Sequence, residues 1–401
     1  MSLQLSMPVD FERHNEEVRQ VWDAYRRREP SRVPVTISGS IRNLFASAGI
    51  NDTGYTFEDF FKKPEAQVRC QLAYQKWVRH NVLCDVEMGL PRHGWQLSID
   101  FQNSYEAGWM GCPLVFSGND VPDTVEILRE DKRRLYRMQP PDLLRGNLLG
   151  RAMEFFEYMQ GECPRLEFEG RPVLPPVTLP GEGTDGPFDL AYKLRGATEA
   201  CIDMMEDPGY FHDLMLFITD AIIRRMKAIR EWRWARLPKS PDKGQFRRPG
   251  WGFADDAIAL LSTEQYAEFI YPYHRRFVDE FSDGGPISMH LCGDATRHFR
   301  FLKEKFSVMS FDTGFPVDFG WLRRELGTDV EVRGGPTVML LRSGSPAAIQ
   351  AEVRRICESG IMVGGRFILR EGNNMAPGTA VENIVTMYEA AKRYGVYPKT
   401  R

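Results

Sequence analysis

Ile287-Ser288-Met289-His290-Leu291-Cys292-Gly293-Asp294 is a short apolar run that stops at a glycine, with an imidazole and a thiol two residues apart just before the stop. Alternate side chains of an extended strand share a face, so His290 and Cys292 can meet one ligand. Neutral imidazole and thiolate are donors that zinc accepts at roughly 2.0–2.3 Å, and a strand end is rigid enough to hold them. The same pattern also suits a satisfied core histidine beside a buried structural cysteine.

Working outward, eight apolar or β-branched runs end in small or polar residues: 33–38, 85–89, 175–179, 250–255, 286–292, 308–313, 330–334 and 361–368. Between most of them lie segments of helical periodicity at 190–205, 209–232, 263–281, 319–326 and 346–360. Strand and helix alternating eight times predict a (β/α)8 TIM barrel. Phe11, Val18, Val21, Trp22 and Tyr25 share one side of a leading helix, read with residues 1–32 as a cap over one barrel end. Ser262 or Thr263 is set to cap the helix near Glu264, and Ser345 precedes a proline suited to a first turn. The gap between the second and third strands is too long for one helix. Residues 96–174 therefore read as an insertion, a hairpin near Val115–Asp120 and a helix through Met153–Met159, forming a lid on a single domain of residues 1–401. Residues 237–248, rich in Pro, Lys and Arg, read as a mobile loop or a partner-facing surface.

A chain of 401 residues with 42% hydrophobic and 27% charged residues can bury a sizeable core. Its net charge of −3, with both signs interspersed, offers no basic stripe for nucleic acid and no polybasic run for lipid. The 7 cysteines are scattered and form no CxxC, which argues against a disulfide framework and for a reducing compartment, the cytoplasm by default. Residues 1–6 show neither the basic start nor the apolar run of a signal peptide, and no stretch of about 18 apolar residues spans a membrane.

In a barrel of this type the carboxyl ends of the strands carry the active site. Those ends supply Ser38 and Ser40, Glu87, Glu182, Asp255 and Asp256, His290 and Cys292, Asp312, Arg333, and Glu371 with Asn373. His290 and Cys292 with one or two carboxylates would form a zinc site that leaves a position open for substrate or water. Adjacent strand residues face opposite sides, so only one of Asp255 and Asp256 enters the lumen, while the other caps a helix or binds an arginine. Asp312 projects into a space opened by Gly314. Arg333 either clamps an anionic substrate group or pairs with Asp312 or Glu371. No GxGxxG or Walker sequence supports nucleotide binding, and no Ser-His-Asp set assembles by spacing.

Four stretches in this order carry a family resemblance: Gly186-Pro187-Phe188-Asp189-Leu190-Ala191 with Leu194-Arg195-Gly196; Asp255-Asp256 leading into Leu260–Tyr266 and Tyr271-Pro272-Tyr273; His290-Leu291-Cys292-Gly293; and Gly364-Gly365 through Pro377-Gly378-Thr379 to Glu382-Asn383. The chain resembles the uroporphyrinogen decarboxylase superfamily, and most closely its corrinoid-dependent methyltransferase branch. The decarboxylases resemble chains with an arginine-rich element after the first strand; here only Arg42 remains. The resemblance implies zinc at His290 and Cys292. It also implies a third ligand in the loop after the eighth strand, where Asn373 stands in place of a cysteine and Glu371, Glu182 or Asp256 would have to substitute. A carboxylate there would make the ion a stronger Lewis acid, suited to polarising a substrate oxygen. Asp312, Asp256 and Glu371 are then the catalytic group. Glu182, Asp255, Arg333, Asn373 and Trp109 are the substrate-binding group, Trp109 joining Trp95, Tyr105, Trp251 and Phe253 as aromatic walls or as packing under the lid. No Asp-x-His-x-x-Gly sequence is present, so a corrinoid would come from a corrinoid-binding partner protein. The other expected partner is a small methylated substrate, with a homodimer left open. The other readings are a decarboxylase using Asp312 or Asp256 and a non-catalytic barrel that binds a corrinoid protein.

Overall fold

The structure, a computed structural model, describes residues 9–47, 49–118 and 120–398. Residues 1–8, the start of the expected cap and the stretch read for a signal peptide, lie outside it.

Among the described residues ten strands form: β1 Trp95–Gln96, β2 Leu114–Val115, β3 Asp123–Thr124, β4 Glu167–Phe168, β5 Arg171–Leu174, β6 Gly252–Ala254, β7 Ile287–Leu291, β8 Val308–Thr313, β9 Glu331–Gly334 and β10 Phe367–Leu369. β6 to β10 lie side by side in chain order, all parallel, with helices between them in sequence. Alternation explains the two faces: Ile287, Met289 and Leu291 are buried, while Ser288 and His290 are half-buried on the opposite face. The arc continues past β10, where Thr36 N donates to Leu369 O (2.9 Å), and Asp85 N donates to Val35 O (2.7 Å). β1 and β5 pair in parallel as a separate group. The fold is α/β with a parallel sheet; backbone pairing among the described residues does not join the two groups into a closed ring of eight.

Three of the eight expected strands do not form. The run 33–38 keeps only a single bridge, Val35 with Leu369. In 85–89, the Asp85 carboxylate itself takes the hydrogen bonds of a ladder, accepting from Val35 N (2.7 Å) and from both terminal nitrogens of buried Arg32 (2.7 Å each). In 175–179, Pro175 and Pro176 have no N–H to give, and the strand ends one residue earlier at Leu174. The run at 361–368 starts late, because Cys357–Ile361 is still a wide helical turn. The helix expected at 190–205 is two helices broken at Gly196 (φ 98°), and that at 263–281 breaks at Ile270, before Pro272. Ser262 caps its helix in a reciprocal box with Gln265, and Ser345 caps the helix that Pro346 opens.

The first helix, Phe11–Arg26, buries His14, Val18, Val21 and Tyr25. Tyr25 Oη donates to Glu331 (2.9 Å) at the start of β9, which puts the helix at the amino ends of the strands and leaves the carboxyl ends clear. In the region 96–174, β2 and β3 form an antiparallel hairpin and Asn147–Glu162 a helix. In the segment 237–248, Phe246 O accepts from Arg230 Nη1 (2.9 Å) and Asp242 Oδ1 from Arg233 Nη1 (3.3 Å). All seven cysteines are unbonded. No helix among the described residues is long and apolar enough to cross a membrane.

The segment following β1 has an unusual partner. Gln67, Gln71 and Gln75, four residues apart on the helix Pro64–Asn81, donate to Asp100 O (2.5 Å), Ser98 O (2.8 Å) and Gln96 O (3.0 Å). Gln67 and Gln71 also accept from Asp100 N (3.2 Å) and Ser98 N (3.0 Å). One helical step of four residues rises about 6.0 Å and one strand step of two about 6.6 Å, so side-chain amides mimic a neighbouring strand. Gln67 is fully buried. Gln67→Leu leaves a backbone donor and acceptor unpaired and is expected to lower stability by about 2 kcal/mol in urea unfolding; an unchanged midpoint would refute the ladder's role.

Candidate active site

Strand register builds the site. Ala254, His290, Asp312 and Arg333 are successive Cα partners across β6 to β9, so their side chains form one row on the polar face. His290 Nδ1 lies 2.8 Å from Asp312 Oδ2, and Nε2 lies 3.0 Å from Cys292 Sγ and 3.9 Å from Asp256 Oδ1. Asp256 Oδ1 also accepts from Cys292 N (2.7 Å), fixing the turn that presents the thiol. Gly314 backs this turn: a Cβ there would stand 2.8 Å from Cys292 Cα. One donor atom from each of Asp256, His290 and Cys292 lies within 4.8 Å of the others. His290 is one-third exposed, so the cluster is reachable from the strand ends.

Charge around the cluster is one-sided. Burial pushes the Cys292 thiol up, and the Asp256 and Asp312 carboxylates push it further. Burial works against a charge on His290, but the hydrogen bond and charge of Asp312 outweigh it and raise its pKa. Asp312 is itself held low: burial opposes its charge, yet His290 and Arg370 favour it more strongly.

Asp255 and Asp256 divide their roles as alternation requires. Asp256 joins His290 and Cys292, while Asp255, with no exposed surface, accepts from Phe188 N (3.0 Å) and Asp189 N (3.0 Å) and contacts His274 Nε2 (2.9 Å). In return Asp189 accepts from Asp256 N (3.1 Å) and Ala257 N (2.9 Å). Each carboxylate caps the other's helical segment. Gly186 (φ 116°) permits the approach, since a Cβ would fall 2.5 Å from Asp255 Cγ. Two of the stretches that carried the family resemblance thus form one interlock, and Asp255 has no free side for a substrate. Burial, followed by the charges of Asp255 and Asp256, lifts Asp189 to about 9.

Arg370, given no role from the sequence, ties the other half of the site together. It donates from Nη1 to Asp312 Oδ2 (2.5 Å), from Nη2 to Glu371 Oε1 (3.1 Å) and to Asn373 O, and from Nε to Glu371 O (3.1 Å). The available signal was its position at the carboxyl end of a strand, immediately after β10. The expected pairing of Arg333 with Asp312 or Glu371 is corrected: Arg333 donates along its own strand to Glu331 Oε1 (2.9 and 2.7 Å). Glu371, wholly buried, accepts from Ser38 N (2.9 Å), and its Oε2 meets no partner among the described residues. Burial raises Glu371 to about 7, with Arg370 pulling the other way. Its pKa in the fold lies above the unfolded value, so its contribution to stability is complete below about pH 4.5 and is lost as pH rises through about 7. Glu371→Gln is expected to remove that part of the pH dependence, about 3 kcal/mol across the window; identical stability profiles for both proteins would contradict it.

Two other expected site residues, Glu182 and Trp109, sit elsewhere. Glu182 accepts from Thr178 Oγ1 (2.5 Å) and pairs with Arg233 Nε (2.6 Å). Trp109 is 1% exposed, donates to Asp142 O (3.0 Å) and packs under the Arg225 guanidinium, so it is core rather than a wall for substrate. Trp95, Trp251 and Phe253 are buried too. Asn373 touches the network through its carbonyl alone in the recorded contacts, accepting from Arg370. Arg42 pairs with Asp120 (3.1 Å) on the hairpin loop, away from His290.

Residues 251–394 match the uroporphyrinogen decarboxylase (URO-D) family. The matched residues contain β6 to β10 and with them Asp256, His290, Cys292, Asp312 and Arg370. Over 318 residues the chain is 29% identical to a methylated-thiol--coenzyme M methyltransferase of Methanosarcina mazei, covering 77% of this chain and 73% of that one. It is 28% identical over 141 residues to a uroporphyrinogen decarboxylase of Prochlorococcus marinus, covering 34% of this chain and 39% of that one. A solved methyltransferase from Methanosarcina mazei superposes with a TM-score of 0.61 at 17% identity, over 94% of this chain and 98% of the other, a likeness of fold.

Proposed function

We propose that the protein is a zinc-dependent methyltransferase that moves a methyl group from a small methylated compound of ether, amine or thiol type to the corrinoid of a separate partner protein. The observation that carries this reading is the convergence of Asp256, His290 and Cys292 on one point at the strand ends. The methyltransferase relative that spans most of the chain supports it.

The donor set fits the ion. Imidazole, thiol and carboxylate are zinc's usual ligands, and three protein ligands leave one position open. A thiol held uncharged among carboxylates suits a site in which a cation is expected, since coordination removes the thiol proton. Asp256 supplies the carboxylate in place of the missing cysteine, while Glu182 and Glu371 are engaged elsewhere. Zinc held there would act as a Lewis acid on the heteroatom that carries the methyl group. The bond from heteroatom to methyl carbon breaks with its electron pair left on the heteroatom, which finally takes up a proton. Asp312 holds His290 Nδ1, so that Nε2 faces the site, and Arg370 holds Asp312. Residues 96–174 act as the lid over this mouth, within a single catalytic domain. No observation favours decarboxylation specifically: Arg42, the remaining arginine of that kind, is spent on Asp120.

The test is elemental analysis of the purified protein, followed by assay with methoxylated, methylamine and methylthiol donors and a reduced corrinoid protein. About one zinc per chain, absent from His290→Ala, together with transfer from one donor class is the expected result. A metal-free wild type that transfers no methyl group sinks the proposal.

A further inference from the structure

On the same side of the strands as the cluster, a cavity of about 340 Å³ opens between Gly39 and Ser40, Asn374, and the Asp100–Gln102 segment that follows β1. It adjoins the Arg370–Glu371 pair through Ser38, the residue before Gly39, whose N donates to Glu371 (2.9 Å) and whose carbonyl accepts from Met375 N (2.8 Å). Its volume lies at the small end of ligand sites, roughly 300–1,000 Å³.

The lining has a particular chemistry. Hydroxyls, carboxamides and one carboxylate line it together with Ile41; its ring is the Tyr74 phenol, and no lysine or arginine lines it. Tyr74 is 8% exposed and accepts a long hydrogen bond from Asn43 Nδ2 (3.5 Å), while its own O–H donates to none of the described residues in the recorded hydrogen bonds. Gly39 makes room for that hydroxyl, since a Cβ would overlap it. Gln102 is held at φ 48°, a costly conformation for a residue other than glycine. That geometry sets its amide against Asp100 Oδ1 (2.7 Å) and Oδ2 (2.6 Å), while Ser40 Oγ donates to its carbonyl (2.9 Å). Asp100 Oδ2, which accepts one hydrogen bond, keeps a lone pair, and Tyr74 keeps its O–H; both line the cavity, an acceptor and a donor that hydroxyls complement. An anion would face Asp100 without a lining cation. An arene would leave the Tyr74 O–H unpaired, at a cost.

We propose that this cavity grips an uncharged, polyhydroxylated part of the methyl donor, so that the donor is the methyl ether of a polyol. This deepens the methyltransferase reading and rests on it. The ether C–O bond breaks with its pair on oxygen, the oxygen takes a proton to become a hydroxyl, and the methyl group passes to the partner's reduced corrinoid.

The test is saturation-transfer NMR on the full chain, without metal or corrinoid protein, using methyl β-D-glucopyranoside as the probe, with methoxybenzene and tetramethylammonium for comparison. The expected result is saturation of the glucoside, with binding about tenfold weaker in Tyr74→Phe and in Asp100→Asn, while Tyr74→Phe keeps the wild-type unfolding midpoint. Equal glucoside binding in all three proteins, absence of glucoside binding by the wild type, or saturation confined to methoxybenzene or tetramethylammonium overturns the assignment. Because nothing in this measurement depends on methyl transfer, its failure is separate from failure of the activity assay.

Discussion

His290→Ala and Cys292→Ser are each expected to lower methyl transfer by about a hundredfold to a thousandfold and to abolish stoichiometric zinc, with little change in folding. His290 is one-third exposed at a strand end, and its row neighbours keep their own partners: Arg370 still holds Asp312, and Asp256 still accepts from Cys292 N. The two variants remove different donors from one point, so their effects should not add; the double variant should be about as inactive as either single one. Asp256→Asn separates the ligand role from the turn-holding role, because the amide oxygen can still accept from Cys292 N while binding metal weakly. Rates in His290→Ala or Cys292→Ser near the wild-type rate would show that the cluster is not the seat of the reaction.

The largest effect on stability is expected at Asp255, a residue the sequence placed among the substrate contacts. Asp255→Ala removes the acceptor for Phe188 N and Asp189 N and the partner of His274, all in an interior without water-exposed surface. Two orphaned backbone donors and one orphaned imidazole predict a loss of about 3–5 kcal/mol in denaturant unfolding. Burial holds His274 down to about 3, so the ring stays neutral and cannot be rescued by charging. Asp255→Asn keeps the shape and one acceptor and should lose less. A fully stable Asp255→Ala protein with a raised KM would return Asp255 to the substrate and refute the interlock.

The strands that were legible in the sequence are those whose ladder is made by backbone: 308–313 is read to the residue, and 252–254, 287–291 and 331–334 fall inside their expected runs. Of the three expected strands that do not form, 33–38 keeps one backbone bridge, and the other two are those where side chains or prolines took over the pairing, as at Asp85 and Pro175–Pro176; no periodicity records that substitution. The site divides in the same way. His290 and Cys292 are two residues apart on one strand, so alternation alone brings them together. Asp312 and Asp256 follow from strand-end position. Arg370 was passed over because Arg333, one strand away, had an equal claim; only the two-residue proximity of Glu331 on β9 decides that Arg333 is already occupied. Asp255 and Glu182 misled because a carboxylate at a strand end reads the same whether it meets a ligand, a helix start or an arginine.

The three glutamines of the helix Pro64–Asn81 act as a vernier. Each rung of the helix falls short of the matching strand step by about 0.6 Å, so a ladder in register at its first rung is out of step by about 1.2 Å at its third and would miss by about 1.8 Å at a fourth. Three rungs are close to the longest such zipper two rigid scales allow. The same mismatch means that the helix cannot creep along the strand without unfastening every rung at once, and the covered edge presents no free template on which a second molecule could add a strand.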